Sequence, residues 1–392
     1  MDNINSFIKL QEYIESENYK GWDPYDGLNS KFFSSTPLIN WDVSRLIWIQ
    51  LFKRNPINFR KIFSVPKEYN PKAIGLLLSG YCNLYDISKK SELFGQSDII
   101  IKQINYLAEL LCSLQIDGFS GSCWGYNFDW QARRLFYFKK GTPNIVVTAF
   151  CTMALMDAYE ITKKEKYLDV ALSSSEFVIK DLIRTKVKDS FLFSYSIIDG
   201  NNTVLNASLM GTKILSRCYH YNQEDKLKDL SDKTAKVIVD LQNEDGSWPY
   251  GLLPIQSWKD SFHTGYNLEA LMKYQNYCKT NLFNDPILKG LNYYTNNFFH
   301  NNEIPKYYHN KMYPIDIHCP AQLFVTLDLV KHKEKYKDLS YNVLNWTIAN
   351  MQDKKGYYYY QLKKVLSSKI SYMRWSNAFM FYGMSYYLKN EI

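Results

Sequence analysis

The sequence predicts an all-α fold, a closed toroid of six helical hairpins. Three observations carry that expectation: amphipathic and wholly apolar segments alternate, they recur at a near-constant period, and one set of connecting loops holds the unusual residues. The first residues of the apolar segments, Ile145, Asn206, Thr264, Cys319 and Asn377, stand 61, 58, 55 and 58 positions apart. Periods this long match stacked helical hairpins, each burying its apolar face against the next.

The amphipathic members, 1–17, 103–115, 165–184, 226–242, 285–299 and 335–351, read as an outer ring. In 226–242, for example, Leu227, Leu230, Val237, Ile238 and Leu241 share one face. Segments such as 146–156 and 378–386 are rich in Ala, Met, Gly and Ser with few charges, as buried inner helices must be. Pro143, Pro286 and Pro320 suit first helical turns, where a missing N–H is no loss. The stretch 39–52 is assigned as the first inner helix. The gap from there to residue 145 is nearly double the period and predicts an extra helix near 71–86. The expectation is one toroid domain over 1–392, with an insertion at about 55–96. Closing six hairpins into a ring removes the exposed ends of an open superhelix.

At 392 residues and 46% hydrophobic content, the chain can bury a large core. Its first residues carry Asp2, Glu12, Glu15 and Glu17 in place of the basic and apolar order of a signal peptide. The longest apolar run, 145–156, falls short of the roughly 20 residues a membrane span needs. Seven scattered cysteines without CxxC spacing fit reduced thiols. A soluble, cytoplasmic protein is expected. The charge of +8 is spread along helices, as on a lysine-rich surface, and no nucleic-acid partner is expected. One stretch, 45–67, interleaves Arg45, Lys53, Arg54, Arg60, Lys61 and Lys67 with Trp48, Phe52, Phe59 and Phe63. That pattern suits peripheral contact with an anionic membrane or a lipid-linked pyrophosphate.

The loops from outer to inner helix concentrate the chemistry. They contain Gly21-Trp22-Asp23-Pro24-Tyr25-Asp26-Gly27, the run from Cys123 to Gln131, Phe193-Ser194-Tyr195-Ser196, Ser247-Trp248-Pro249-Tyr250 with Asp260 and His263, Tyr307 with Asp316 and His318, and Tyr372-Met373-Arg374-Trp375. Repeat symmetry opens all six on one end of the ring. Sugar rings present apolar C–H faces and a rim of hydroxyls, so a sugar site needs flat aromatics beside carboxylates and amides. Trp22, Asp23, Asp26, Tyr126, Asn127, Asp129, Trp130, Trp248, Tyr250, Tyr307, Arg374 and Trp375 are the candidate sugar-binding residues. His263 with Asp260, His318 with Asp316, and Tyr266 are the candidate catalytic groups. Each His stands at the start of an inner helix, whose partial positive charge favours neutral imidazole, able to act as a base. No cofactor motif is visible, and no metal is expected. Cys123-Trp124-Gly125 and His318-Cys319 are similar to zinc ligands of lanthionine cyclases, but three hairpins apart on a ring they cannot share one tetrahedral zinc.

With these loops, the chain resembles the six-hairpin (α/α)6 toroid superfamily of carbohydrate-active enzymes, which includes unsaturated glucuronyl hydrolases, sugar 2-epimerases and uronate lyases. The motifs at 21–27, Gly246-Ser247-Trp248-Pro249-Tyr250-Gly251 and Phe262-His263-Thr264-Gly265-Tyr266 also look like a group associated with surface polysaccharide biosynthesis. The resemblance implies His263, His318, Tyr266, Asn206 and Arg374 as counterparts, by residue type, of the families' catalytic sets. The resulting expectation is a carbohydrate-active enzyme that modifies a free or lipid-linked sugar or oligosaccharide by uronate-type hydrolysis, elimination or epimerisation in surface polysaccharide or glycolipid assembly. The competing class is a non-catalytic glycan or lipid-carrier binding scaffold. Gln242, Gly246 and Trp248 also fit a triterpene-cyclase repeat, but no Asp-Asp pair accompanies them, which makes a terpene-cyclase-like enzyme the weaker alternative.

Overall fold

The computed structural model describes residues 2–132, 136–329 and 334–392. In chain order its helices are α1 (Asp2–Ser16), the short α2 (Lys31–Ser34), α3 (Asp42–Arg54), α4 (Pro71–Ser88), α5 (Ser97–Ser113), α6 (Ile145–Thr162) and α7 (Glu165–Glu176). They continue with α8 (Leu205–Asn222), α9 (Asp225–Val239), α10 (Ser261–Cys278), α11 (Asn284–Phe298), α12 (His318–Leu329), α13 (Lys337–Met351) and α14 (Phe379–Glu391). Helices α4, α6, α8, α10, α12 and α14 are buried over most of their length and pack side by side, α14 returning to α4. Helices α1, α5, α7, α9, α11 and α13 lie outside them, each with one apolar face inward.

Small residues allow the close helix contacts. A Cβ on Gly383 of α14 would stand 2.4 Å from the Ala321 carbonyl of α12, and one on Gly80 of α4 would stand 2.6 Å from the Phe381 ring of α14. Asn83 donates to Ser385 at 3.0 Å and Phe7 stacks on Phe381 at 4.9 Å, which seals the first hairpin to the last. Asn70, Asn144 and Asp260 cap α4, α6 and α10, accepting backbone N–H groups of the first turn.

One assignment is corrected. The inner place of the first hairpin belongs to α4, not to 39–52, and the extra helix is α3, within 17–70, not a segment inside 55–96. The physical reason is burial. Helix α4 is apolar all round, with Ala73, Ile74, Leu76, Leu77 and Leu78 buried, whereas α3 buries Arg45, Ile49 and Phe52 and leaves Val43, Ile47 and Leu51 exposed. The basic stretch 45–67 is also not one solvated face. Arg60 is buried against Asp26, Arg45 is buried beside Gln131, and Lys67 pairs with Glu17.

The loops are tied in series around the ring. The first amides of four inner segments, at Ile145, Leu205, Ser261 and Ile317, donate to the carbonyls of Tyr195, Tyr250, Tyr307 and Tyr360 in the following loop, at 2.9, 3.1, 2.9 and 3.3 Å. Met373, before α14, donates to Trp22 in the first loop at 3.1 Å, closing the series. Trp248 stands apart from this lining. Its indole N–H donates to the Ile238 carbonyl at 2.9 Å, its ring covers Gly290, and only 2% of it is exposed. It is therefore core, and its expected place in a sugar cleft is corrected. Trp248→Ala should lower stability by about 3–5 kcal/mol, as large-to-small core changes do, read as a shifted urea midpoint.

Candidate functional site

The six loops enclose a cavity of about 710 Å³ at the N-terminal ends of the inner helices, within the range of sites that hold small organic ligands. Its walls are aromatic: Tyr126 stacks with Phe128 at 5.0 Å and Tyr250 with Trp258 at 4.2 Å, and Tyr25, Trp130, Tyr307 and Trp375 complete the surface.

Two imidazoles reach this space. His263 Nδ1 lies 2.7 Å from Asp260, which leaves Nε2 as the nitrogen available to the cavity. Asp260 also accepts the His263 backbone N–H, so helix cap and ring orientation are set by one carboxylate. On the neighbouring inner helix, His318 Nε2 lies 2.5 Å from the Tyr266 hydroxyl, and its ring stacks on Phe262 at 4.4 Å. His318 Nδ1 is buried and has no hydrogen-bond partner among the described residues. Burial, reinforced by Lys72, His263 and Arg374, drives the His318 pKa well below the ordinary imidazole value. Burial also pushes the Tyr266 phenol well above its usual range.

Arg374 enters from the loop after α13. It grips Asp23 through Nε and Nη2, at 2.5 and 2.8 Å, and faces the rings of Tyr126 and Trp375 at 5.0 and 5.1 Å.

The structure brings His263, Tyr266, His318, Tyr126, Trp130, Tyr250, Tyr307, Arg374 and Trp375 together on the cavity wall. The other candidates lie elsewhere. Asp260 and Asp316 stand behind the wall, Asp316 accepting from Gln361, from Trp375 Nε1 at 2.9 Å and from the His318 amide at 3.0 Å. Burial pushes Asp316 up to about 6. Asp23 is taken by Arg374 and Asp26 by Arg60. Asp129 accepts from Tyr137 and from the Lys140 amide, Asn127 is held by Asn29 and Asn70, and Trp22 donates to the Val65 carbonyl. These residues build the wall and do not face the cavity, because each polar group is already consumed by a neighbour. Among the described residues no carboxylate lines the cavity.

Residues outside the sequence-derived candidates also line it: Tyr195 and Phe262, which stand in the quoted loops and motifs, and Lys72, Trp258, Tyr360 and Gln361, which do not. A signal for part of this set exists. Tyr195, Tyr250, Tyr307 and Tyr360 are spaced by 55, 57 and 53, the period of the hairpins. No such regularity marks Lys72.

No protein-family model matches the sequence, and no curated protein matches it. Solved structures do match. A sugar epimerase from a ruminal bacterium superimposes with a TM-score of 0.62 at 13% identity, covering 84% of this chain and 90% of its own. An unsaturated glucuronyl hydrolase specific for heparin gives 0.62 at 10% identity, covering 100% and 97%. This chain has the (α/α)6 toroid fold. An α-mannanase from Bacteroides thetaiotaomicron is also similar, with a TM-score of 0.61 at 11% identity over 82% of this chain and 86% of its own. Identities this low speak to the toroid alone.

The depressed His318 has a pH signature. An unfolded chain protonates His near 6.5 while the folded site resists, so the unfolded state binds more protons below that pH. The stability this group contributes is present above pH 6.5 and is lost as pH falls toward the depressed folded value. Denaturation at about pH 7.5 and 5.5 should show the stability advantage of wild type over His318→Gln shrinking by about 1 kcal/mol.

Proposed function

We propose that the protein is a carbohydrate-active enzyme that moves a proton at a sugar carbon beside a carbonyl group, epimerising that carbon or eliminating a substituent, with imidazoles as acid and base. The composition of the cavity wall carries this reading: His263, Tyr266 and His318 reach it, and no described Asp or Glu does. Hydrolysis by two carboxylates requires both to face the glycosidic bond, about 5–9.5 Å apart. Here Asp23, Asp26, Asp129, Asp260 and Asp316 are all committed to donors.

In this mechanism His263 Nε2 takes the proton from carbon, and Asp260 stabilises the imidazolium that forms. The electron pair moves onto the carbonyl oxygen, whose developing charge faces the Arg374 guanidinium. The Tyr266 and His318 pair then returns a proton to the opposite face of the carbon, or to the departing oxygen in an elimination. A sugar-binding scaffold would need the aromatic walls but not an imidazole held by a carboxylate beside a second imidazole paired with a phenol.

Incubation with free and lipid-linked oligosaccharides in D2O should place deuterium on the epimerised carbon, or in an elimination release a product with a new C=C bond and no added solvent oxygen. His263→Ala should slow this by about 10²-fold or more while the melting temperature stays near wild type. Incorporation of solvent oxygen at a glycosidic carbon, with no deuterium on carbon, would assign hydrolysis and overturn the reading.

The setting proposed for this chemistry is surface polysaccharide or glycolipid assembly on a lipid-linked sugar. It is supported by the exposed apolar side chains in and around α3, a helix whose Leu46, Gln50, Lys53 and Arg54 line the cavity. Trp41, Ile47 and Ile62 are 63%, 62% and 72% exposed, Phe32, Val43 and Ile57 are exposed with them, and Lys31, Arg54 and Lys61 lie among them in the chain. Exposed apolar side chains interleaved with cations along the chain suit an anionic lipid surface, and Lys53 and Arg54 of the same segment line the cavity. The protein should co-sediment with phosphatidylserine vesicles and not with phosphatidylcholine vesicles, and Trp41→Ser with Ile47→Ser should release it. Equal recovery with both vesicle types would remove the membrane.

A further inference from the structure

Seven Lys and Arg side chains are buried among the described residues: Arg45, Arg60, Lys72, Lys213, Arg217, Lys273 and Arg374. Six of them contact a carboxylate, respectively Asp42, Asp26, Glu269, Asp157 with Glu160, Glu269 and Asp23. Lys72 is the exception. It is 3% exposed, lies in the first turn of α4 and lines the cavity. Its ammonium meets only ring faces, Phe150 at 4.3 Å, Phe379 at 4.8 Å and Tyr266 at 5.5 Å.

Ring faces attract a cation, but an unpaired buried charge still costs several kcal/mol. Burial, with Arg374 and Lys213 adding repulsion, lowers the Lys72 pKa well below the ordinary amine value. The pattern set by the other six cations is completed by an anion brought in from outside. Lys72 also shares surroundings with the proposed acid and base: the Phe379 ring under its ammonium lies 3.5 Å from the His318 ring, and Tyr266 touches both.

Resting on the proton-transfer reading, we infer that Lys72 and Arg374 receive the carboxylate of a sugar acid, so that the carbon acid is the carbon bearing that carboxylate. The chemistry requires such a pair. Removing a proton beside a carboxylate places a second negative charge on the same group, and cations at its oxygens lower that barrier. With Arg374 Nε and Nη2 engaged by Asp23, the site offers one ammonium and the remaining guanidinium nitrogen, which matches the two oxygens of a carboxylate. A phosphate, with three free oxygens and a larger charge, would leave acceptors unsatisfied there.

Calorimetry with D-glucuronate, D-glucose and inorganic phosphate, in two buffers of different ionisation heat, reads the site directly. Glucuronate should bind about tenfold tighter than glucose and take up a proton as Lys72 becomes charged. Lys72→Met should lose both the preference and the proton uptake, and Lys72→Arg should keep the preference. Equal binding of acid and neutral sugar by wild type, an unchanged preference in Lys72→Met, or tighter binding of phosphate than glucuronate would overturn the assignment. So would a borohydride-stable adduct on Lys72, which would make the amine a covalent catalyst. Exchange in D2O separates the two readings. Deuterium on cellobiose without any preference for acids keeps proton transfer and rejects the carboxylate site, whereas acid-selective binding with no exchange on any sugar does the reverse.

Discussion

The first N–H groups of an α-helix have no partner inside the helix, and this ring gives one of them to the next loop. Ile145, Leu205, Ser261 and Ile317 donate to the carbonyls of Tyr195, Tyr250, Tyr307 and Tyr360, and Met373 donates to Trp22. Each such bond satisfies a buried donor and fixes the backbone of a residue at or near the cavity. The lining is therefore positioned by main chain, and side-chain identity is left free to set specificity. The last of these bonds joins residues near the two ends of the chain, and Arg374 with Asp23 reinforces it by a buried ion pair across the same junction. Removing one partner of a buried pair typically costs about 3–5 kcal/mol, so closing the ring and presenting Arg374 to the cavity are one structural event.

Convergence of inner-helix N-termini also sets the electrostatics. Each terminus adds partial positive charge, and the acids nearest to them are spent answering it. Asp260 caps α10 while orienting His263, and Asp316 accepts the first amide of α12 while holding Gln361 and Trp375. Asp23 and Asp26 neutralise Arg374 and Arg60. A set of loops rich in Asp thus folds around a cavity that no described carboxylate faces. The same field disfavours imidazolium, in keeping with the depressed His318.

How much of this was legible follows from which regularities are periodic. The hairpins were, because the inner segments repeat at 55 to 61 residues and their burial demands a distinct composition. The reversal of α3 and α4 was avoidable: Asn70 and Pro71 are a cap and first-turn signal, and the residues after them, from Ala73 to Cys82, carry the small and apolar character of the other inner helices. Loops offer no comparable rule. Trp130 and Trp248 both sit between helices, yet one lines the cavity and the other fills core over Gly290. The difference lies in what each ring packs against, Gly290 beneath Trp248 but the rings of Tyr25, Phe136 and Phe138 beside Trp130, which spacing does not encode. Nor does sequence show that Asp129 or Asn127 is already consumed, since their partners Tyr137, Asn29 and Asn70 come from different stretches of chain.

Buried groups left without partners are costly, and a stable ring tolerates few of them. Below the cavity the charges are satisfied: Lys213 and Lys273 share Glu269, holding its pKa down at about 2 against the cost of burial, and Arg217 bridges Asp157 and Glu160. At the level of the cavity the balance differs. Among the described residues His318 Nδ1 has no hydrogen-bond partner and the Lys72 ammonium has no ion-pair partner, and both residues contact the same Phe379 ring. The two unmet demands are of opposite kinds, one for a group that exchanges protons and one for negative charge, and they border a single space. A purely structural core would relieve them with a nearby acid, as it does for the other six buried cations. Leaving both unmet side by side is what the proposed sugar-acid site turns on, because there the ligand supplies the missing partner.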